Sequence, residues 1–486
     1  MDKTIPAPMR EFRGVWIATV DNIDWPSKKG LSTDVQRKEL LSIIEKADAD
    51  NLNAIVFQIR PACDALYPSS LEPWSEYLTG TMGKAPEPLW DPLEYAVDEC
   101  HKRGIELHAW FNPYRARHPS GKSPISADHI SKTNPKLVRT YGKHLWLDPG
   151  EQGVQDHSAA VVMDVVKRYD IDGVHIDDYF YPYKERDDNK RIIGFPDEVS
   201  YQRYSAGGGT MSRDDWRREN VNMFIERIYR EIKGAKPWVK FGISPFGIWR
   251  PGYPSMVKGF DAYTELYADA RKWINNGWCD YFTPQLYWRI AQPAQPYREL
   301  LKWWVGENKL NRHIWPGNYT SNVTAKDKGW SAEELVKQVI ATRAQSGATG
   351  NIHFSAIAFI KNREGVEERL RKTVYASKAL VPASVWLDSE APKAPIAEAQ
   401  QGTSIISWRP VGTERAFNWV LYTRTNGVWS YKIVPGATLT ASIPDDVSEA
   451  AVSAVDRNGN ESARTSVELK TRVTFGAVDQ ADSGLK

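Results

Sequence analysis

At 486 residues, of which 41% are hydrophobic, the chain has material for one large domain with an ample core and one small domain. Its 63 Lys and Arg against 61 Asp and Glu leave a formal net charge of +2 with no basic run, which excludes a nucleic-acid footprint. No apolar stretch reaches the length of a membrane span, and the three cysteines, Cys63, Cys100 and Cys279, show neither the even count of a disulfide framework nor metal-type spacing, so no metal and no cofactor is expected.

In chain order, the first residues, Met1 to Pro8, lack the apolar centre of a signal peptide; a short Pro-containing start also suits a mature N-terminus behind an added Met. Strand-like and helix-like runs then alternate to about residue 380. The strands are predicted at 13–20, 54–60, 105–111, 173–177, 239–245, 281–287, 313–316 and 351–354. The helices are predicted near 34–50, 91–103, 154–169, 214–234, 265–276, 295–308, 331–346 and 364–378. Thr33-Asp-Val-Gln36, Ser212-Arg-Asp-Asp215 and Ser331-Ala-Glu-Glu334 read as capping boxes. Eight strand-helix units point to an α/β fold of the (β/α)8 TIM-barrel type, with an active site where strands end; a doubly wound open sheet is the alternative. The barrel is assigned to 1–380, a Pro-rich linker to 381–397, a small β-sandwich to 398–472 and a tail to 473–486. The sandwich rests on short alternating runs near 403–408, 419–423, 430–433, 438–443, 450–456 and 466–470, separated by Gly, Asn and Asp turns. The stretch Ser453-Ala-Val-Asp-Arg-Asn-Gly-Asn-Glu-Ser462 resembles a fibronectin type III module.

The most informative segment is Tyr169-Asp-Ile-Asp-Gly-Val-His-Ile-Asp-Asp-Tyr-Phe-Tyr-Pro182. Val174 and Ile176 share one face of the period-two alternation, and His175, Asp177 and Tyr179 share the other. A buried strand gains nothing from ionisable groups unless they are paired, solvated or used, so this strand end is a site candidate. With the apolar set placed toward the helices, strand two sends Gln58 and Arg60 inward, and strand three sends His108, Trp110 and Asn112. Strand four supplies His175 and Asp177, strand six Gln285 and Tyr287, strand seven Trp315, and strand eight His353 and Ser355. The loops after these ends, Asn112-Pro-Tyr114-Arg115, Tyr179-Phe-Tyr-Pro182, Ser244-Pro-Phe-Gly-Ile-Trp249-Arg250 and Gln285-Leu-Tyr287-Trp288, each combine a ring with a hydrogen-bonding group. A carbohydrate fits that combination, because it offers apolar faces and hydroxyls together, and a chain with 20 Trp and 22 Tyr is rich in such rings.

Glycoside hydrolysis normally requires two carboxyl groups. Asp177 is the inward acid. Asp178 and Asp64 lead as its partner, with Asp148, Glu265 and Asp269 behind them, while Asp172 reads as structural. An N-acetylated sugar opens a second route, in which its own carbonyl attacks the anomeric carbon. Asp172-Gly-Val-His-Ile-Asp177 resembles the strand of chitinase-type enzymes, with Tyr179 where that pattern has Glu.

Six phrases occur in order: Arg13-Gly-Val-Trp-Ile-Ala-Thr-Val20 with Asp24-Trp-Pro26, Gln58-Ile-Arg-Pro-Ala-Cys-Asp-Ala-Leu-Tyr67, His108-Ala-Trp-Phe-Asn-Pro-Tyr-Arg115, Asp172 to Pro182, Ser244 to Arg250, and Pro284-Gln-Leu-Tyr-Trp288. Through them the first 380 residues resemble the bacterial glycosyl-hydrolase-like ten family. The resemblance implies a (β/α)8 glycoside hydrolase of the cell envelope or periplasm whose export signal has been removed; one branch is associated with cutting peptidoglycan glycan strands. The expected partner is therefore a glycan strand, and no nucleic acid or transmembrane segment is expected. The alternatives are a non-catalytic glycan-binding barrel, motivated by the single inward acid, and a metal-dependent hydrolase or deacetylase using His108, His175 and Asp177.

Overall fold

The computed structural model describes residues 5–324, 329–400, 403–413 and 415–469. The tail expected over 473–486 and the last residue of the run expected at 466–470 lie outside the described residues.

Eight parallel strands run Phe12–Ile17, Ala54–Arg60, Glu106–Phe111, Gly173–Ile176, Lys240–Ile243, Tyr281–Phe282, His313–Ile314 continued by Gly317–Asn318, and Gly350–His353. Each pairs with the next, and the first pairs with the last through Phe12↔Gly350 and Val15↔His353. The seventh strand closes the ring. Trp315 N donates to Phe282 O at 3.0 Å on one side, and Ile352 N donates to Pro316 O at 3.1 Å on the other. Pro316 has no N–H to give, which divides this strand into two short pieces without opening the sheet. The fold is a (β/α)8 barrel, and the open doubly wound alternative is excluded by this closure.

Helices Thr33–Ala49, Pro92–His101, Gln152–Arg168, Arg213–Ala235, Ala270–Asn276, Tyr297–Glu307, Ala332–Ala344 and Val366–Lys372 follow the successive strands. The fifth begins later than expected because Asp269 caps it, its carboxylate accepting from Lys272 N; a separate turn, Ala262–Glu265, is capped by Asp261. Ser212 caps its helix as the sequence suggests, accepting from Asp215 N. Thr33 does not cap: Ser32 holds the N-cap position and the Thr33 hydroxyl donates to Pro88 O at 2.9 Å. At Ser331 the side chain makes no cap bond, the Glu334 N–H going to Ser331 O at 3.1 Å, and the Glu334 carboxylate accepts from Ile290 N at 2.6 Å.

Outward from the barrel, Ile55, Phe57, Ile59, Leu107, Ala109, Phe111, Val174 and Ile176 pack against the helices in one core. Inside lies a second core of Phe12, Trp16, Ala54, Val56, Trp110, Tyr281, Trp315 and Ile352. Phe12 stacks on Trp315 with centroids 3.7 Å apart, and Tyr281 stacks on Trp315 at 4.7 Å. Such wide rings fit only where a neighbouring strand carries no side chain. A Cβ added at Gly242 would stand 1.8 Å from the Tyr281 ring, and one at Gly173 would stand 2.3 Å from His108.

The loop after the third strand carries a three-stranded antiparallel sheet, Arg115–Arg117, Val138–Tyr141 and His144–Leu147, and the loop after the fourth carries helix Glu198–Ala206. Residues 9–390 with 457–460 form one compact unit. The first part of the expected linker is packed within it: Ser384 Oγ meets His313 Nε2 at 3.1 Å, and Trp386 Nε1 donates to Asp280 at 2.9 Å. The second unit holds a sheet of Ile396–Ala399, Ile405–Arg409 and Thr440–Ser442, and another of Asn418–Thr425, Val428–Pro435, Val447–Val455 and Thr465–Val467. Ile406 and Trp408 from the first meet Trp419, Leu421 and Val452 from the second, forming the core of a small antiparallel β-sandwich.

Gly242→Ala is expected to cost about 1–3 kcal/mol in urea unfolding, because the interior must shift to admit the methyl group. Gly234→Ala, on a helix with open space around the added atom, should instead gain roughly 0.5–1 kcal/mol. Equal effects at the two positions would contradict this account of the interior.

Candidate active site

The fourth strand ends at Ile176, and the next two residues, Asp177 and Asp178, bend into a cavity of about 310 Å³ at the C-terminal mouth of the barrel. Its wall comes from the ends of the first four strands and the loops beyond them, with Ser244 from the fifth, Gln285 and Tyr287 after the sixth and Phe354 after the eighth. Trp16, Gln58 and Trp110 form its floor side, and Arg115, His118, Tyr179 and Tyr183 come from loops.

Asp177 is held on both oxygens. Trp110 Nε1 donates to Oδ2 at 3.0 Å, Tyr179 N donates to Oδ1 at 3.2 Å, and Asn112 Nδ2 lies 3.3 Å from Oδ1. Burial pushes its carboxyl up to about 6, with the Arg115 guanidinium opposing and the Asp178 charge reinforcing the rise. Asp178 is also raised by burial, against a hydrogen bond from the Tyr183 hydroxyl. Burial raises Tyr183 as well, so it stays a phenol and a donor. Arg115 anchors its Nε on Pro61 O at 2.9 Å and lays its guanidinium over the Tyr179 ring at 4.9 Å. His118 is driven down to about 4 by burial and by Arg115, so it is neutral at physiological pH. Two polar atoms of cavity-lining residues, Gln58 Nε2 and Ser244 Oγ, are buried without a hydrogen-bond partner.

Beneath the cavity a polar column runs down the barrel. Trp16 Nε1 can only donate, so His175 Nε2 accepts it at 3.1 Å, and the His175 proton sits on Nδ1, facing the Tyr281 hydroxyl at 3.0 Å. That hydroxyl then donates to His108 Nδ1 at 2.8 Å, and His108 Nε2 donates to Glu106 at 2.9 Å, where Lys240 ends the chain at 2.9 Å. Burial and the nearby His108 hold His175 neutral.

Of the residues singled out from sequence, Asp177, Asp178, Arg115, Tyr179, Gln285 and Tyr287 meet in this cavity, and Asn112 stands behind Asp177. The others lie elsewhere. Arg60 is sealed by an ion pair with Glu72, and its Nη1 donates to Asn112 O at 2.6 Å. Although burial alone would raise Glu72, Arg60 and His157 hold it down to about 2. Asp64 is 1% exposed and accepts from Ala62 N at 2.9 Å, in the turn after strand two. Asp148 is tied to Arg139 and Ser200, Glu265 to Lys184, and Asp269 to Trp249 Nε1. Tyr114 packs on Phe224, Trp249 on Trp303 and Trp288 on Phe246, while Trp315 and both column histidines belong to the barrel interior. His353 turns outward to Tyr375 Oη at 2.9 Å, and Ile352 takes the inward place. Ser355 donates to Asp24 at 2.7 Å. Because both ring nitrogens of His108 and His175 are spent in the column, these two do not present a ligand pair beside Asp177.

Sequence reasoning passed over Trp16, because the inward face of strand one, Phe12, Gly14 and Trp16, carries no polar marker, while Arg13 stands on the other face. It also missed Asp21, Ile23, His118 and Tyr183, which reach the wall from loops without periodicity, and Phe354, which the alternation that placed His353 and Ser355 inward assigned to the other face.

The raised Asp177 value has a stability consequence. Its folded value of about 6 exceeds the ordinary 3.8, so the folded state binds the proton more tightly, and stability is lost as pH rises between these values. Asp177→Asn is therefore expected to stabilise the protein at about pH 8 by up to roughly 3 kcal/mol and to have little effect near pH 4, read by thermal melts. The same shift at both pH values would contradict the assignment.

The sequence model of the family described as Glycosyl hydrolase-like 10 matches residues 11–332. Glycosyl hydrolase YngK of Bacillus subtilis (strain 168) is 44% identical over 398 residues, covering 79% of this chain and 76% of that protein. Glycosyl hydrolase DigH of Escherichia coli (strain K12) is 37% identical over 326 residues, covering 62% of this chain and 71% of that protein. Among solved structures, the PgaB (BpsB) glycoside hydrolase domain from Bordetella bronchiseptica superposes with a TM-score of 0.45 at 13% identity, over 75% of this chain and 98% of that one. With more than half its length matched by the family model and a relative this similar, the chain belongs to the Glycosyl hydrolase-like 10 family.

Proposed function

We propose that the protein hydrolyses glycosidic bonds in a bacterial cell-wall or related N-acetylated glycan, using the Asp177–Asp178 pair at the barrel mouth. The observation that carries this reading is two consecutive buried carboxyls facing one cavity whose wall also holds Trp16, Tyr179, Tyr287 and Phe354. Aromatic faces suit the C–H side of a pyranose, and the Arg115 and Gln285 side chains of the same wall suit its hydroxyls. The names of the two relatives agree with this chemistry. An envelope location is the one where such a substrate is met.

In this reading Asp177 gives its proton to the leaving glycosidic oxygen. Its carboxyl, raised to about 6, keeps a substantial protonated fraction near neutral pH, as a general acid must. Asp178 accepts from Tyr183 and, in its ionised form, is the partner beside the positive charge that develops on the sugar. Arg115 offsets part of the pair's negative charge and so limits how far the two values rise. The non-catalytic alternative was motivated by a single inward acid, whereas Asp177, Asp178 and Asp21 all line the cavity here.

The test is release of reducing ends from peptide-free peptidoglycan strands. Asp177→Asn should lower kcat/KM about 10²–10⁴-fold with an unchanged far-UV spectrum. Wild-type activity should fall as pH rises through about 6, because the donor loses its proton. Undiminished turnover by the variant would end the proposal.

A further inference from the structure

Two of the three acids of the cavity wall, Asp177 and Asp178, are neighbours in sequence, so they reach a bound sugar from the same strand end. A double displacement or a direct water attack needs a second carboxyl across the anomeric carbon from the proton donor, at about 5–9.5 Å. Among the described residues the first, sixth and eighth strand ends bring Trp16, Tyr287 and Phe354 to the wall, and these carry no charge. The remaining acid of the wall is Asp21, which is exposed in the loop after strand one. The cavity thus supplies two adjacent carboxyls from one strand end together with an apolar aromatic corner. In that corner the Trp16 and Phe354 rings meet edge to face at 6.0 Å, and Tyr287 stacks on Phe354 at 5.9 Å.

We propose that the nucleophile belongs to the substrate: Asp178 accepts the N–H of a 2-acetamido group, and the carbonyl oxygen of that amide attacks the anomeric carbon while Asp177 protonates the leaving oxygen. This deepens the glycosidase reading above and rests on it. The C1–O bond breaks, its electron pair goes to the departing oxygen, and that oxygen takes the Asp177 proton. The carbonyl oxygen closes a five-membered oxazolinium ring on C1, whose N–H stays on the Asp178 carboxylate. Water then gives a proton back to Asp177 and attacks C1, which reopens the ring and restores the acetamide with the anomeric configuration retained. Tyr183 fixes Asp178 through its hydroxyl, so the acceptor is in place before the sugar arrives. The aromatic corner receives the amide methyl group, which a deacetylated sugar lacks.

The experiment uses the wild-type protein and peptide-free glycan strands that have been de-N-acetylated and re-acylated with acetyl, fluoroacetyl or trifluoroacetyl groups. Fluorine withdraws electrons from the carbonyl oxygen, so kcat/KM should fall about 100-fold or more from acetyl to trifluoroacetyl. The free-amine strand should not be cut, and the new reducing end should appear first in the retained configuration by proton NMR. Equal rates across the acyl series, cleavage of the free-amine strand, or an inverted first product would overturn this inference and leave the glycosidase reading standing. Failure to cut the acetylated strand at all would overturn both.

Discussion

Two adjacent carboxyls held out of bulk water at the end of the fourth barrel strand are the constraint on which the rest of the site depends. Asp177 and Asp178 are 4% and 5% exposed, and the groups that touch them are mostly neutral donors, namely the Trp110 indole, the Asn112 amide, the Tyr179 backbone and the Tyr183 hydroxyl. Neutral donors orient a carboxylate without fully offsetting its lost hydration, so both groups hold protons more tightly than they would in water. One cation, Arg115, tempers the repulsion between them, and it is itself fixed by Pro61 O and the Tyr179 ring. Burial raises Asp24, Asp50 and Asp64 to about 6 as well, but they lie outside the cavity; what singles out Asp177 and Asp178 is that their raised carboxyls line it.

The barrel below is built to hold that arrangement still. Its interior is filled by wide rings that fit because Gly173 and Gly242 yield space on neighbouring strands. The column from Trp16 through His175, Tyr281 and His108 to Glu106 and Lys240 leaves each ring nitrogen one partner and one tautomer. Trp16 is therefore anchored from beneath while its ring faces the cavity. Trp110 plays the matching part on the acid side. Loops supply what the strands do not: the antiparallel insertion after strand three brings Arg115 and His118 to the wall.

Much of this was legible in the residues because one face of a barrel strand must be apolar. Where a strand alternates cleanly, as in Gln58 against Ile55, Phe57 and Ile59, or Asp177 against Val174 and Ile176, the inward set follows from period two alone. The rule fails where the interior is itself apolar: Ile352 faces inward, so His353, taken as an inward group, points to Tyr375. It also overreaches at strand ends, where Arg60 meets the buried Glu72 before it can reach the cavity. Loop aromatics carry no period at all. Trp249 and Trp288 read as sugar platforms but pack on Trp303 and Phe246, whereas Tyr183, with no pattern to mark it, lines the wall.

The central claim, that the carboxyl pair at the barrel mouth keeps a proton into the neutral range, is tested most directly by carbon-13 NMR titration of Asp-labelled protein. The spectra of wild type and Asp177→Asn would be compared across the pH range. The account predicts a carboxyl resonance that titrates near 6 in the wild type and is absent from the variant. A wild-type spectrum in which the Asp177 resonance titrates at or below its ordinary value of 3.8 would contradict it.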